Sequence, residues 1–147
     1  MTSTYTVDAS VFLNAFNPYE AGHGESHRFL ARLQERAIPI IVPTLLLPEV
    51  AAAISRGRED EALAREFAVA LSQLPHLTMI PLDSTLAHQA ADVAAQYRLR
   101  GSDAVYAAVA LRFGSTLVTL DREQRERVVA VLTTCYPTEV LVEEEGT

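Results

Sequence analysis

Asp8, Glu49, Asp103 and Asp121 are the residues of this chain whose type and placement best suit chemistry. Asp8 closes the apolar run Thr4–Val7, and Asp121 closes the run Thr116–Leu120. Asp103 opens the apolar segment Ala104–Phe113, and Glu49 sits early in the helical stretch that follows Ile38–Val42. In an open α/β sheet, ligands bind outside the carboxyl ends of the strands, where the following helices begin. All four acids map to that edge. Hard carboxylate oxygens gathered in one place suit magnesium or manganese, and the chemistry such a centre performs is metal-assisted phosphodiester cleavage.

Each acid also has a local explanation. Asp8 can bond to its own turn, Asp103 favours a helix N-terminus, and Asp121 can cap the helix after it. Glu49 is harder to place this way, because it lies between Leu45–Leu47 and Val50–Ala53, and a lone buried glutamate is costly. Two unit charges about 4 Å apart repel by about 1 kcal/mol in water and about 4 kcal/mol at an effective dielectric of about 20. Carboxylates crowded at one edge therefore need a cation or must hold protons. Ser10 and Thr119 are expected to support the cluster, Ser10 as a cap or a contact to bound water or phosphate, Thr119 by bracing Asp121. Arg98, Arg100 and Arg122 are the first candidates for contacts with a polyanion, because they flank Asp103 and Asp121.

The elements that must position these residues alternate. Strands are predicted at Thr4–Asp8, Ile38–Val42, Leu77–Pro81 and Thr116–Leu120, with a weak fifth at Val131–Thr134. Helices are predicted from about Ser10, over Glu25–Arg36, from Pro43–Thr44 through Glu49, and over Arg58–Gln73. Others follow Asp83 or Ser84 and span Asp103–Phe113 and Arg122–Val129. The Asp103 helix is apolar almost all round, which predicts burial between the sheet and another layer. Strands separated by helices imply right-handed crossovers and a mostly parallel sheet, in one three-layer α/β/α domain over residues 1–147.

Several residues are set aside. Asp83 reads as a helix cap, and Asp60 and Asp92 as solvated helix residues. His23 and His27 flank a glycine in a loop-like setting unsuited to zinc. Tyr106 reads as core. The stripe Arg28, Arg32 and Arg36 is explained by pairing with Glu25 and Glu35. The tail beyond Pro137 carries no diagnostic residue, and its run Glu143–Glu145 inflates the net charge.

Composition bounds the function. With 147 residues, 49% of them hydrophobic and 21% charged, the chain buries a substantial core and is neither disordered nor a coiled coil. The net charge of −7 argues against coating of nucleic acid by bulk basicity, although all twelve basic residues are arginine. The single cysteine, Cys135, has no intrachain partner, and no apolar stretch spans a bilayer, so a reducing cytoplasmic location is expected. No Ser/His/Asp arrangement, Cys/His pair or glycine-rich phosphate loop points to another hydrolase class.

The segments Val7-Asp8-Ala9-Ser10, Pro48-Glu49-Val50, Gly101-Ser102-Asp103-Ala104 and Leu117-Val118-Thr119-Leu120-Asp121 together resemble the four acidic motifs of the PIN domain. The size and spacing resemble, more narrowly, the VapC toxins of VapBC toxin–antitoxin pairs. The resemblance implies strand order 3-2-1-4-5 and a magnesium- or manganese-dependent endoribonuclease in which Asp8, Glu49, Asp103 and Asp121 hold the metal. It also implies an RNA substrate, a homodimer and inhibition by a small VapB-like antitoxin. A housekeeping PIN nuclease of RNA maturation and a catalytically silent PIN module that binds RNA or protein are the other readings the same motifs allow.

Overall fold

The computed structural model describes residues 3–145. Its centre is a five-stranded sheet of β1 (Tyr5–Val7), β2 (Ile40–Pro43), β3 (Leu77–Ile80), β4 (Thr116–Val118) and β5 (Thr134–Cys135). The strands run in the order β3-β2-β1-β4-β5, and every pairing is parallel. Tyr5, Thr6 and Val7 are all buried, as a central strand covered on both faces requires, and so they read as a continuous run rather than an alternating one. From β1 the chain builds outward through β2 to β3, then returns to the other side of β1 for β4 and β5. That reversal puts the topological switch point, and its crevice, between β1 and β4.

Eight helices among the described residues supply the crossovers. These are α1 (Ala9–Phe16), α2 (His23–Glu35), α3 (Leu46–Arg58), α4 (Glu61–Ser72), α5 (Ser84–Tyr97), α6 (Gly101–Phe113), α7 (Arg122–Val128) and α8 (Pro137–Glu145). One group, α1 to α4 with α8, packs together on one face; α5 and α6 pack on each other, with α6 against β1, β2 and β4. Every residue from Asp103 to Ala110 is buried, which accounts for a helix without a polar face. Gly114 ends it with φ 62°, the left-handed conformation that glycine adopts without strain.

Two sequence expectations are corrected, and one element goes unpredicted. The fifth strand is Thr134–Cys135 and not Val131–Thr134, because Val131 and Leu132 donate back to the Val128 carbonyl, both at 3.0 Å, and finish the turn after α7. The acidic tail is a helix, α8, which buries Val140 and Leu141 and packs on α2. Its start has a physical cause: Pro137 opens the first turn, and Glu139 Oε1 accepts the Tyr136 N–H at 3.0 Å. Asp60 caps α4 by accepting from Leu63 N at 3.0 Å, and is not a plain solvated residue. Asp83 caps α5 as expected, accepting from Leu86 N at 2.9 Å.

The turn between α1 and α2 is pinned from below. Buried Asn14 donates to Glu20 Oε1 and the Ala21 carbonyl, both at 2.9 Å, and accepts from Ser26 Oγ at 2.6 Å. Gly22, at φ 84°, lies so close that a Cβ there would stand 3.3 Å from Asn14 Oδ1.

Candidate active site

Asp8 and Asp121 stand on either side of the switch-point crevice. The Asp8 N–H still bonds to the Val118 carbonyl at 2.9 Å, so the residue is fixed by the sheet, while its carboxylate caps α1 through Ser10 N at 3.2 Å. Ser10 in turn accepts the Leu120 N–H on its Oγ at 3.2 Å, which ties the start of α1 to the chain leaving β4. Asp121 caps α7 through Gln124 N at 3.1 Å. Both local explanations weighed from the sequence therefore hold, and both leave a second carboxylate oxygen for other work.

Asp103 lies in the first turn of α6 and is buried apart from its edge. Glu49 lies in the first turn of α3, just after Pro48, whose missing N–H costs nothing where the helix has no internal acceptor for it. Glu49 Oε1 is buried and has no hydrogen-bond partner.

Asp8, Glu49 and Asp103 share one electrostatic environment. Burial pushes the Asp8 carboxyl above its ordinary range; bonds from Ser10 oppose this, and Asp103 adds to it. Burial raises Glu49 too, with Tyr106 opposing and Asp8 and Asp103 adding to the rise. Asp103 is raised by burial against the opposing pull of Arg100, with Asp121 adding its repulsion. The structure thus brings Asp8, Glu49 and Asp103 together and sets Asp121 beside Asp103.

Arg100 holds the outer part of the cluster. Its Nε donates to Asp103 Oδ2 at 3.0 Å and its second guanidinium nitrogen to Asp121 Oδ2 at 2.8 Å. As they stand, no three Asp, Glu, His or Cys side chains among the described residues have the mutual geometry of a metal-binding group. The bridging guanidinium supplies a physical reason, since it already takes an oxygen from each of two acids. The donor set nevertheless fits a hard divalent cation: it is all carboxylate, burial raises the proton affinities of Asp8, Glu49 and Asp103, and one buried oxygen is unpartnered.

The other expected residues are placed unevenly. Arg98 and Arg100 line a cleft of about 210 Å³ together with Asp103 and Asp121. Arg122 lines a different cleft, pairs with Glu126 at 2.8 Å and is not brought to the acids. Thr119 Oγ1 accepts from Asp121 N at 3.0 Å and donates to Gln124 Oε1 at 2.9 Å, with Asp8 Oδ2 more distant at 3.4 Å. Gln124 was missed from the sequence. It is buried, it donates to the Asp103 carbonyl at 3.4 Å, and it links the Asp103 and Asp121 segments. Its signal was the capping-box spacing, a glutamine three residues after the cap, but its side chain serves Thr119 instead of the cap N–H.

The family profile of the PIN domain matches residues 5–129. The chain belongs to the PIN-domain family. No curated protein sequence matches it. Among solved structures, this PIN domain is similar to a chain of VapBC2 from Rickettsia felis, solved bound to a DNA fragment from their promoter. The TM-score is 0.69 at 14% identity over 90% of this chain and 98% of that one. A Pyrobaculum aerophilum protein aligns with TM-score 0.72 at 23% identity, covering 100% of this chain and 98% of its own. VapC20 of Mycobacterium tuberculosis, described as a Sarcin-Ricin loop cleaving toxin, aligns with TM-score 0.71 at 19% identity, covering 89% of this chain and 97% of that one. At these identities the likeness is one of fold, and the strand order β3-β2-β1-β4-β5 is the one that the family resemblance implies.

Proposed function

We propose that this PIN domain is a magnesium- or manganese-dependent endoribonuclease, the toxin of a toxin–antitoxin pair acting in the cytoplasm, with residues 1–147 forming one nuclease domain. The observation that carries the reading is the convergence of Asp8, Glu49 and Asp103, with Asp121 beside them, at the switch-point crevice. Asp8, Glu49, Asp103 and Asp121 hold the metal. When bound, it supplies an activated water and a counter-charge for the departing oxygen. Asp8 is fixed by the sheet and Ser10; Asp121 is fixed by the helix it caps and by Thr119 with Gln124. Arg98 and Arg100 lie in the same cleft as two of the acids, which supports a role on the RNA backbone; Arg122 lies outside it.

A VapB-like antitoxin is the proposed partner, and a homodimer the proposed assembly. Phe12, Phe16, Leu30, Phe67, Leu71 and Leu74 line an apolar groove of about 430 Å³ between α1, α2 and α4, which suits the apolar face of an amphipathic helix. The test is end-labelled RNA incubated with purified protein and magnesium. Cleavage by wild type that stops with chelator and with Asp103→Asn is expected. RNA that is bound but left intact at every metal concentration would make the chain a silent binding module instead.

A further inference from the structure

Tyr106 lies on α6 one turn after Asp103, so the two side chains leave the same face of the helix. It is fully buried, and its hydroxyl has no hydrogen-bond partner. Glu49 Oε1 is likewise buried and unpartnered. The two groups are neighbours, close enough that hydrogen bonding between them shifts the proton affinity of each, yet by donor–acceptor geometry neither oxygen has a made bond. A phenylalanine would fill the same apolar space and leave no donor stranded. A buried polar group without a partner is rare enough to need a reason, and here the missing donor and the missing acceptor stand side by side.

We propose that Tyr106 is a positioning residue for Glu49: its hydroxyl would donate to Glu49 Oε1 when a divalent cation is bound and so fix the orientation of that carboxylate. This rests on the metal-dependent reading above. The flexible side chain of Glu49 can turn toward the phenol, whereas Tyr106 is fully buried in the core. A phenol ordinarily titrates at about 10, so Tyr106 is a donor at neutral pH. Because Asp103 and Tyr106 share α6, one rigid helix then supplies a ligand and sets the angle of a second ligand from α3. Hydrogen bonds behind metal ligands commonly set both orientation and affinity.

The experiment is calorimetric binding of manganese to wild type, Tyr106→Phe, Glu49→Ala and the double variant, with metal-free thermal unfolding in parallel. Tyr106→Phe is expected to bind manganese about 10- to 20-fold more weakly, at the low end of the range for loss of such support, while its metal-free melting temperature holds or rises. In the Glu49→Ala background the same change should cost nothing further. The KM for RNA at saturating metal should not move. Equal manganese affinity in wild type and Tyr106→Phe overturns the proposal, as does an undiminished loss in the Glu49→Ala background. Failure of wild type to bind manganese at all overturns the metal-dependent reading with it. A second measurement does not depend on folding of the phenylalanine variant: magnesium added to wild type should produce a tyrosine red shift in the near-ultraviolet difference spectrum that Glu49→Ala lacks. No red shift in wild type counts against Tyr106.

Discussion

Replacing Arg100 should make the protein less stable without metal and a better binder of metal. Its guanidinium reaches Asp103 at 3.0 Å and Asp121 at 2.8 Å, but the side chain is 75% exposed. Exposed pairs sit at the solvent-screened end of the range, about 0.2–1 kcal/mol each. Two such pairs, on carboxylates that repel one another, put the loss in metal-free Arg100→Gln at about 1–2 kcal/mol. For a chain of this size that lowers the melting temperature by about 2–8 °C. The same energy opposes the metal in wild type, because an ion that takes Asp103 and Asp121 must displace the guanidinium. Removing it should tighten manganese binding by about five- to thirtyfold, at about 1.4 kcal/mol per factor of ten. Calorimetric titration with manganese, alongside differential scanning of the metal-free proteins, measures both quantities. Weaker or unchanged metal binding by Arg100→Gln would refute the reasoning, since Arg100 would then be holding the acids ready for the ion and not occupying their place.

Asp103→Asn should abolish RNA cleavage while the metal-free fold stays intact or gains stability, because it keeps the side chain's shape and removes one charge from a crowded group; unfolding, or cleavage at the wild-type rate, counts against the site. Metal-free stability should fall as pH rises. Asp8, Glu49 and Asp103 hold their protons more tightly when folded, so the folded state carries the excess of protons in a window that starts at the ordinary values of 3.8 for Asp and 4.5 for Glu and extends upward. Each unit of rise at buried Asp8 is worth about 1.4 kcal/mol, and less at Glu49 and Asp103 after screening; urea titrations across that window in chelator should show the slope, and saturating magnesium should flatten or reverse it. Asn14→Ala should cost about 2–4 kcal/mol, since it strands the buried Ser26 hydroxyl and frees the α1–α2 turn, with cleavage per folded molecule unchanged; denaturant unfolding measures it.

Sequence periodicity located the strands and helices because buried strands and amphipathic helices write their spacing into the chain. The acids were legible for the same reason: each follows or opens a segment whose apolar run was plain. Chain features set by contacts were not. The sequence separated α3 from α4, but not the device that parts them, Glu59 in a left-handed conformation at φ 50°, which no residue-type preference announces. Tail helix α8 was hidden by its glutamates, although Val140 and Leu141 were enough to bury it once α2 stood opposite. Arg100 could be placed near Asp103 from a spacing of three, but its bond to Asp121 depends on how α6 and α7 meet. The Tyr106 hydroxyl was invisible because a tyrosine and a phenylalanine read alike in an apolar helix.

The β1–β4 pairing has a consequence for synthesis. Thr119 and Asp8 meet across 111 residues of sequence, and the strands that carry them become neighbours only after β2 and β3 have been laid down on the other side. Pairing of such separation is slow to form and needs most of the chain to be present. A partial chain on the ribosome, or one cut before β4, has Asp8 and Glu49 but neither Asp121 nor the strand that brings it alongside. The acids can therefore assemble only near the end of translation, and a fragment ending before residue 116 should fail to bind manganese as the full chain does.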